Sequence, residues 1–114
     1  MLISQVQGDR QLGQALEELV DQLRSLLCQN LLQIRLYGSW ARQQADPSSD
    51  VDLAVVVQHL NFGTWQEVYR IVAQLSLRHD LVLSVNLLSQ QEWEELQRLR
   101  TLYARNLQEE GVLL

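Results

Sequence analysis

The segment that most constrains the fold is Asp50-Val51-Asp52-Leu53-Ala54-Val55-Val56-Val57. After its acidic start it is apolar, rich in β-branched residues and short, which favours a strand over a helix. Two further runs offer strand partners. Leu31-Leu32-Gln33-Ile34-Arg35-Leu36-Tyr37 alternates towards its end and stops at Gly38, and Leu81-Val82-Leu83-Ser84-Val85-Asn86-Leu87-Leu88 follows Asp80. A turn-rich stretch, Gln43-Gln44-Ala45-Asp46-Pro47-Ser48-Ser49, separates the first run from the acidic start of the second.

Helical patterns fill the spaces between. From Asp9, a plausible N-cap, the residues Leu12, Leu16, Leu19, Val20, Leu23, Leu26 and Leu27 form a helical stripe that Cys28 ends. Cys28 reads as a small buried thiol. Thr64 and Glu67 have capping-box spacing ahead of Trp65, Val68, Tyr69, Val72 and Leu75, which read as a core-packing face together with the later Trp93. Ser89 and Glu92 form a second box, opening a helical region to about Gln108 with a break near Arg100. Gly111 stops it, and Val112-Leu113-Leu114 is an apolar tail. The first eight residues read as irregular. The order α-β-β-α-β-α predicts a single α+β domain over residues 1–114, a small mixed sheet with helices packed on one face.

Composition narrows the chemistry. Fourteen acidic residues face nine basic ones, a net charge of −5, and every basic residue is arginine. Without lysine there is no phosphate-binding lysine loop, no Schiff-base lysine and no polybasic membrane patch. An acidic field argues against direct DNA or RNA binding, which rests on neutralising phosphates. The single Cys28 excludes an internal disulfide and a cysteine-based zinc site. No apolar run approaches the ~20 residues of a membrane span, and Met1-Leu2-Ile3-Ser4-Gln5 lacks a signal-peptide pattern, so the expected location is cytoplasmic. A polyphosphate handled by such a chain needs metal ions to supply most of the positive charge.

One constellation fits that requirement. Gly38-Ser39 stands where a strand gives way to a short helix expected from Trp40 to Gln43. Glycine allows close approach to the backbone, the N–H groups of a helix start face an incoming anion, and the Ser39 hydroxyl adds a donor. Asp50 and Asp52, two apart on a strand, point to one face about 7 Å apart along the backbone. Such hard oxygen ligands suit magnesium shared with a triphosphate, and a two-metal arrangement would serve an in-line displacement. Each part alone is commonplace, and an isolated Asp-x-Asp beside a Pro-Ser turn is most simply a solvated loop. Asp46, Asp50 and Asp52 could share a calcium ion, but the glycine bend and bidentate glutamate of a calcium hand are missing. At ordinary residue usage the combined pattern arises by chance in roughly one such chain in a thousand.

Gly38-Ser39, ten intervening residues and Asp50-Val51-Asp52 resemble the signature of the DNA polymerase β nucleotidyltransferase superfamily. The wording Leu36-Tyr37-Gly38-Ser39-Trp40-Ala41-Arg42 and the ending from Leu102 to Leu114 look like its minimal nucleotidyltransferase branch, similar to MntA-type antitoxins of HEPN/MNT toxin–antitoxin pairs. The resemblance implies a polymerase β palm-like fold and transfer of AMP from magnesium-ATP to a hydroxyl. In the antitoxin branch that hydroxyl is a tyrosine of the partner HEPN toxin. Gly38 and Ser39 would then hold the triphosphate, Asp50 and Asp52 the magnesium, and Arg42 matches the family arginine, either near the nucleotide or as a helix anchor.

Two positions depart from the resemblance. Gln43 stands where glycine is usual, and Asn86 falls where a third carboxylate is expected on the later strand. Asparagine offers a metal an oxygen but cannot act as a general base. A phenol, with a pKa near 10, deprotonates more readily than an alkyl hydroxyl, so a tyrosine acceptor tolerates that loss best. The rival reading is a catalytically degenerate antitoxin acting by binding alone. A small-molecule acceptor is a third, weaker reading, because so short a chain has little surface for a dedicated pocket. Among the remaining candidates, His59 and His79 read as surface or capping residues. Trp40 suits adenine stacking or packing equally, Tyr103 faces a partner or the interior, and Glu109-Glu110 reads as a solvated helix end.

Overall fold

The computed structural model describes residues 10–42, 44–45 and 49–114. The expected Asp9 cap, the irregular residues 1–8, Gln43 and residues 46–48 of the turn lie outside the described residues. Helix α1 runs over Arg10–Leu27 and a 3-10 turn over Cys28–Asn30. Then come β1 (Leu31–Tyr37), the single helical turn α2 (Gly38–Ala41), β2 (Val51–Val57), α3 (Phe62–His79) and β3 (Leu83–Ser89). Two short helices, α4 (Gln90–Arg98) and α5 (Leu102–Glu110), precede β4 (Val112–Leu113).

The sheet has four strands in the order β3-β2-β1-β4. β1 pairs antiparallel with β2 and with β4, and β2 pairs parallel with β3. The apolar tail thus becomes an edge strand, with Leu113 opposite Arg35 and the Leu114 amide donating to the Ile34 carbonyl at 2.9 Å.

The expectation of helices on one face describes α1 and α3, which close the main core over Leu36, Val51, Leu53, Val55, Val57, Leu83 and Val85. The opposite face is covered as well. There Ala54 and Val56 pack with Trp93 of α4 and with Ala104 and Leu107 of α5. The physical reason lies in β2, which is apolar on both faces: Ala54 and Val56 lose water only if a second layer covers them. That layer is short, so the Asp52 end of this face stays partly open.

Several local expectations shift. Helix α3 is capped not by Thr64 but by Asn61, whose side chain accepts from the Thr64 amide at 2.9 Å. Ser89 and Glu92 do form a reciprocal capping box. The break near Arg100 is a left-handed residue (φ 54°) between α4 and the Thr101 cap of α5. Cys28 is exposed rather than buried, because its left-handed backbone (φ 50°) turns the chain out of α1. Leu26, at the edge of the α1 stripe, is also exposed. Trp65 departs from the core-packing reading too: it is 45% exposed and stacks on the exposed Phe62. Tyr69 and Trp93 pack inward as expected, and the Tyr69 hydroxyl donates to the Val85 carbonyl on the outer edge of β3 at 2.6 Å.

Candidate active site

The expected site residues converge at the β1–α2 junction and the start of β2. Tyr37 ends β1 in an extended conformation and supplies no side-chain cap to α2. Gly38 then takes a left-handed φ of 74°, and α2 closes through the Arg42 amide to the Gly38 carbonyl at 3.1 Å. Helical geometry begins two residues earlier than the expected Trp40 start. Gly38 has two separate reasons to be glycine. Its φ disfavours any L side chain, and an added Cβ would overlap the Asp52 carboxylate, with Asp52 Cγ at 3.2 Å.

Asp52 is brought there by register, standing opposite Tyr37 on β1. Asp50 is exposed in the residue immediately before β2, whose first amide, that of Val51, bonds to the Val82 carbonyl at 2.8 Å. The two carboxylates feel each other. Asp52 is held above its ordinary carboxylate value by burial first and by the Asp50 charge second, while Arg42 opposes the rise. Arg42 itself is exposed, 3.4 Å from the Glu110 carboxylate, and its Nε donates to Gln44 Oε1 at 3.2 Å. It therefore links α2 to the end of α5 while contributing positive potential at Asp52. Glu110, read as simply solvated, is one end of that link.

Trp40 resolves in favour of packing. It is buried in the main core, and its Nε1 donates to the Ser49 carbonyl at 3.1 Å, tying α2 to the residue before Asp50. Asn86 is exposed on β3, and its Nδ2 donates to the Tyr37 hydroxyl at 3.1 Å and to the Tyr103 hydroxyl at 3.2 Å. The two rings meet edge to face with centroids 5.6 Å apart. Burial, then the Tyr103 phenol and the Asp52 charge, push the Tyr37 phenol far above its usual range, against the Asn86 hydrogen bond. Tyr37 is thus a neutral phenol throughout the physiological range. Sequence reasoning missed this cluster, since it takes the β1–β2–β3 pairing and the packing of α5 on the sheet to bring residues 37, 86 and 103 together.

The histidines stand apart from the site. His79 ends α3 with its Nε2 3.3 Å from Glu18, which Arg78 also engages at 2.7 Å. The His59 backbone amide and carbonyl are both bonded by the Asn30 side chain. Among the described residues no group of three or more His, Cys, Asp or Glu side chains gathers as a metal cage. Asp50 and Asp52 nevertheless fit magnesium. It takes oxygen ligands, is commonly held by one or two carboxylates plus substrate phosphates, and would relieve the repulsion that raises Asp52.

The family described as "Polymerase beta, Nucleotidyltransferase" matches residues 17–113, a span that contains every part of this arrangement. The chain belongs to that family. A relative from Methanocaldococcus jannaschii, provisionally named a protein adenylyltransferase, is 29% identical over 70 residues, 60% of this chain and 71% of its own. Similar solved structures include a toxin–antitoxin with AMP-PNP, with a TM-score of 0.55, 20% identity and coverage of 85% of this chain and 70% of that one. A provisionally named nucleotidyltransferase from Sulfolobus solfataricus superposes with a TM-score of 0.53 at 17% identity, over 99% of this chain and 86% of its own. An MntA-HpeT toxin–antitoxin gives a TM-score of 0.51 at 16% identity, over 82% and 68%. At these identities the structural likeness is one of fold: a small mixed α+β nucleotidyltransferase domain. Among the described residues no helix is long and apolar enough to cross a membrane.

Proposed function

We propose that this nucleotidyltransferase transfers AMP from magnesium-ATP to a tyrosine hydroxyl of a HEPN-type toxin encoded beside it, and so acts in the cytoplasm as that toxin's antitoxin. The observation that carries the reading is the packing of the Asp52 carboxylate against the glycine that begins α2. That packing sets a carboxylate, a suitable ligand for a hard cation, beside the turn that begins α2 and so supports the reading. The protein adenylyltransferase name of the archaeal relative and the toxin–antitoxin structures of like fold, one with AMP-PNP, support the choice of chemistry and partner.

In this reading the acceptor phenol oxygen attacks the α-phosphorus in line. The bond from the α-phosphorus to the oxygen bridging the α- and β-phosphates breaks, pyrophosphate leaves, and the phenol proton passes to solvent water. Asp50 and Asp52 hold the magnesium, which when bound neutralises developing charge on the phosphates. Gly38 lets the Asp52 carboxylate lie against the α2 turn that would hold the triphosphate, and the Ser39 hydroxyl donates to a phosphate oxygen. Arg42, tethered to Glu110, adds positive potential beside Asp52. Tyr37 remains a neutral hydrogen-bonding group and does not serve as the base.

One observation favours a second reading, in which the chain neutralises its partner by binding alone: β3 presents Ser84 and Asn86, not a carboxylate, towards the Asp52 side of the sheet. The partner's intact mass after incubation with this chain and magnesium-ATP separates the two. The transfer reading expects a gain of one or more AMP units with wild type and none with the Asp50→Asn, Asp52→Asn double variant. A stable complex with an unshifted partner mass would establish binding alone.

A further inference from the structure

The β2–β3 register identifies which residue of β3 faces the acidic pair, and it is not Asn86. In a sheet, paired residues on adjacent strands present their side chains to the same face, with strands ~4.8 Å apart. One row reads Tyr37, Asp52, Ser84 across β1, β2 and β3, and the next reads Arg35, Ala54, Asn86. A group at position 84 is therefore a direct neighbour of Asp52. From position 86 the diagonal is roughly 8 Å, given the strand spacing and a rise of ~3.3 Å per residue.

The hydrogen bonds divide the two positions in the same way. Both Nδ2 hydrogens of Asn86 are committed, one to each phenol of the Tyr37–Tyr103 pair. Ser84 is exposed at the open end of that face, beyond the cover of α4 and α5.

We infer that Ser84 is a further positioning residue of the site, its hydroxyl forming the β3 side of the Asp50–Asp52 pair, while Asn86 serves the phenol cluster instead. The inference rests on the nucleotidyltransferase reading for what the site holds, and on the register alone for which residue borders it. A serine there adds a neutral donor and acceptor, able to orient a water or a phosphate oxygen beside the cation, but no charge. Among the described residues, the protein then meets a divalent cation with two carboxylates. A cation held by so few protein ligands binds weakly alone and is shared with the phosphates that accompany it.

Manganese alone, titrated against the full chain by electron spin resonance without nucleotide, tests the assignment. A carboxylate adjacent to Asp52 adds a ligand to the pair, so Ser84→Asp should tighten manganese binding by about tenfold or more. Asn86→Asp, a diagonal step away and facing two phenols, should change it by less than about threefold in about 0.15 M salt, where charges ~8 Å apart are screened. Ser84→Asn, similar in size to the aspartate and uncharged, should also stay within about threefold of wild type, which separates charge from repacking. Circular dichroism melts verify that each variant is folded. Asn86→Asp tightening as much as Ser84→Asp would overturn the inference, as would an unchanged affinity in a folded Ser84→Asp variant. A parallel titration with manganese-AMP-PNP keeps the two claims apart. If wild type fails to bind it while Ser84→Asp still gains manganese, the nucleotide reading falls and the Ser84 assignment stands.

Discussion

Gly38→Ala is the substitution whose consequences follow most directly from the geometry. At φ 74° an alanine is forced into the left-handed region, costing roughly 1–2 kcal/mol. Its Cβ would also overlap the Asp52 carboxylate, and forced overpacking of this kind costs about 1–3 kcal/mol. The contact is with the end of a partly exposed side chain that can turn aside, so the second part belongs at the low end. The sum, about 2–3 kcal/mol, is a large share of an ordinary domain's stability and lowers the midpoint by roughly 8–12 °C. Gly63, at an ordinary helical φ in α3 with only an ordinary 3.4 Å contact to Asn61 Oδ1, is the internal control. Gly63→Ala should be neutral or stabilising by up to about 1 kcal/mol. The steric part is isolated by a double-mutant cycle: in the Gly38→Ala background, Asp52→Ala should restore about 1 kcal/mol while leaving the backbone penalty. The assay is urea and thermal denaturation followed by circular dichroism. A neutral Gly38→Ala, or effects that add within ~0.5 kcal/mol, would refute the claim that Asp52 packs on this glycine.

Further predictions concern charge and capping. Because Asp52 is raised in the folded chain by burial and by Asp50, its protonated form is favoured there. Its ionisation therefore destabilises as pH rises above the ordinary carboxylate range: Asp52→Asn should match wild type near pH 3 and exceed it at pH 7 in urea melts without metal. Glu18 behaves oppositely. His79 first, and Arg78 after it, hold it below its usual value against a desolvation effect. Its contribution is present above that value and lost as pH falls through the lowered one, so Glu18→Gln should flatten the acid limb of the stability profile. Asn61→Ala and Ser89→Ala each remove a helix cap and should cost about 1 kcal/mol, read as independent shifts in the urea midpoint.

The sequence made the framework legible for identifiable reasons. The short β-branched run Val51–Val57 favoured a strand, the Leu12–Leu27 stripe marked one face of a helix, and Ser89 with Glu92 marked a helix start that the chain uses. The candidate site was legible because Gly38, Asp50 and Asp52 are local to one strand–turn–strand unit, which the structure brings together. What escaped was non-local. The second helical layer follows from Ala54 and Val56 facing away from the main core; the alternation is local, but which segments cover that face is set by the packing of α4 and α5. The placement of Ser84 beside Asp52 depends on the β2–β3 register, which no local pattern sets across the intervening α3, and the Tyr37–Asn86–Tyr103 cluster needs the docking of α5 as well. Asn61 in place of Thr64 as the α3 cap is a shift of three residues, the scale on which competing polar residues compete for the same role.

The proposal that Asp50, Asp52 and the Gly38 turn form one metal–nucleotide site is tested most directly by isothermal titration with AMP-PNP. The expected result is saturable binding to the wild-type chain that requires magnesium and disappears in the Asp50→Asn, Asp52→Asn variant, whose melt is unchanged or raised. Binding that survives in that variant, or that proceeds equally well with magnesium chelated, would contradict it.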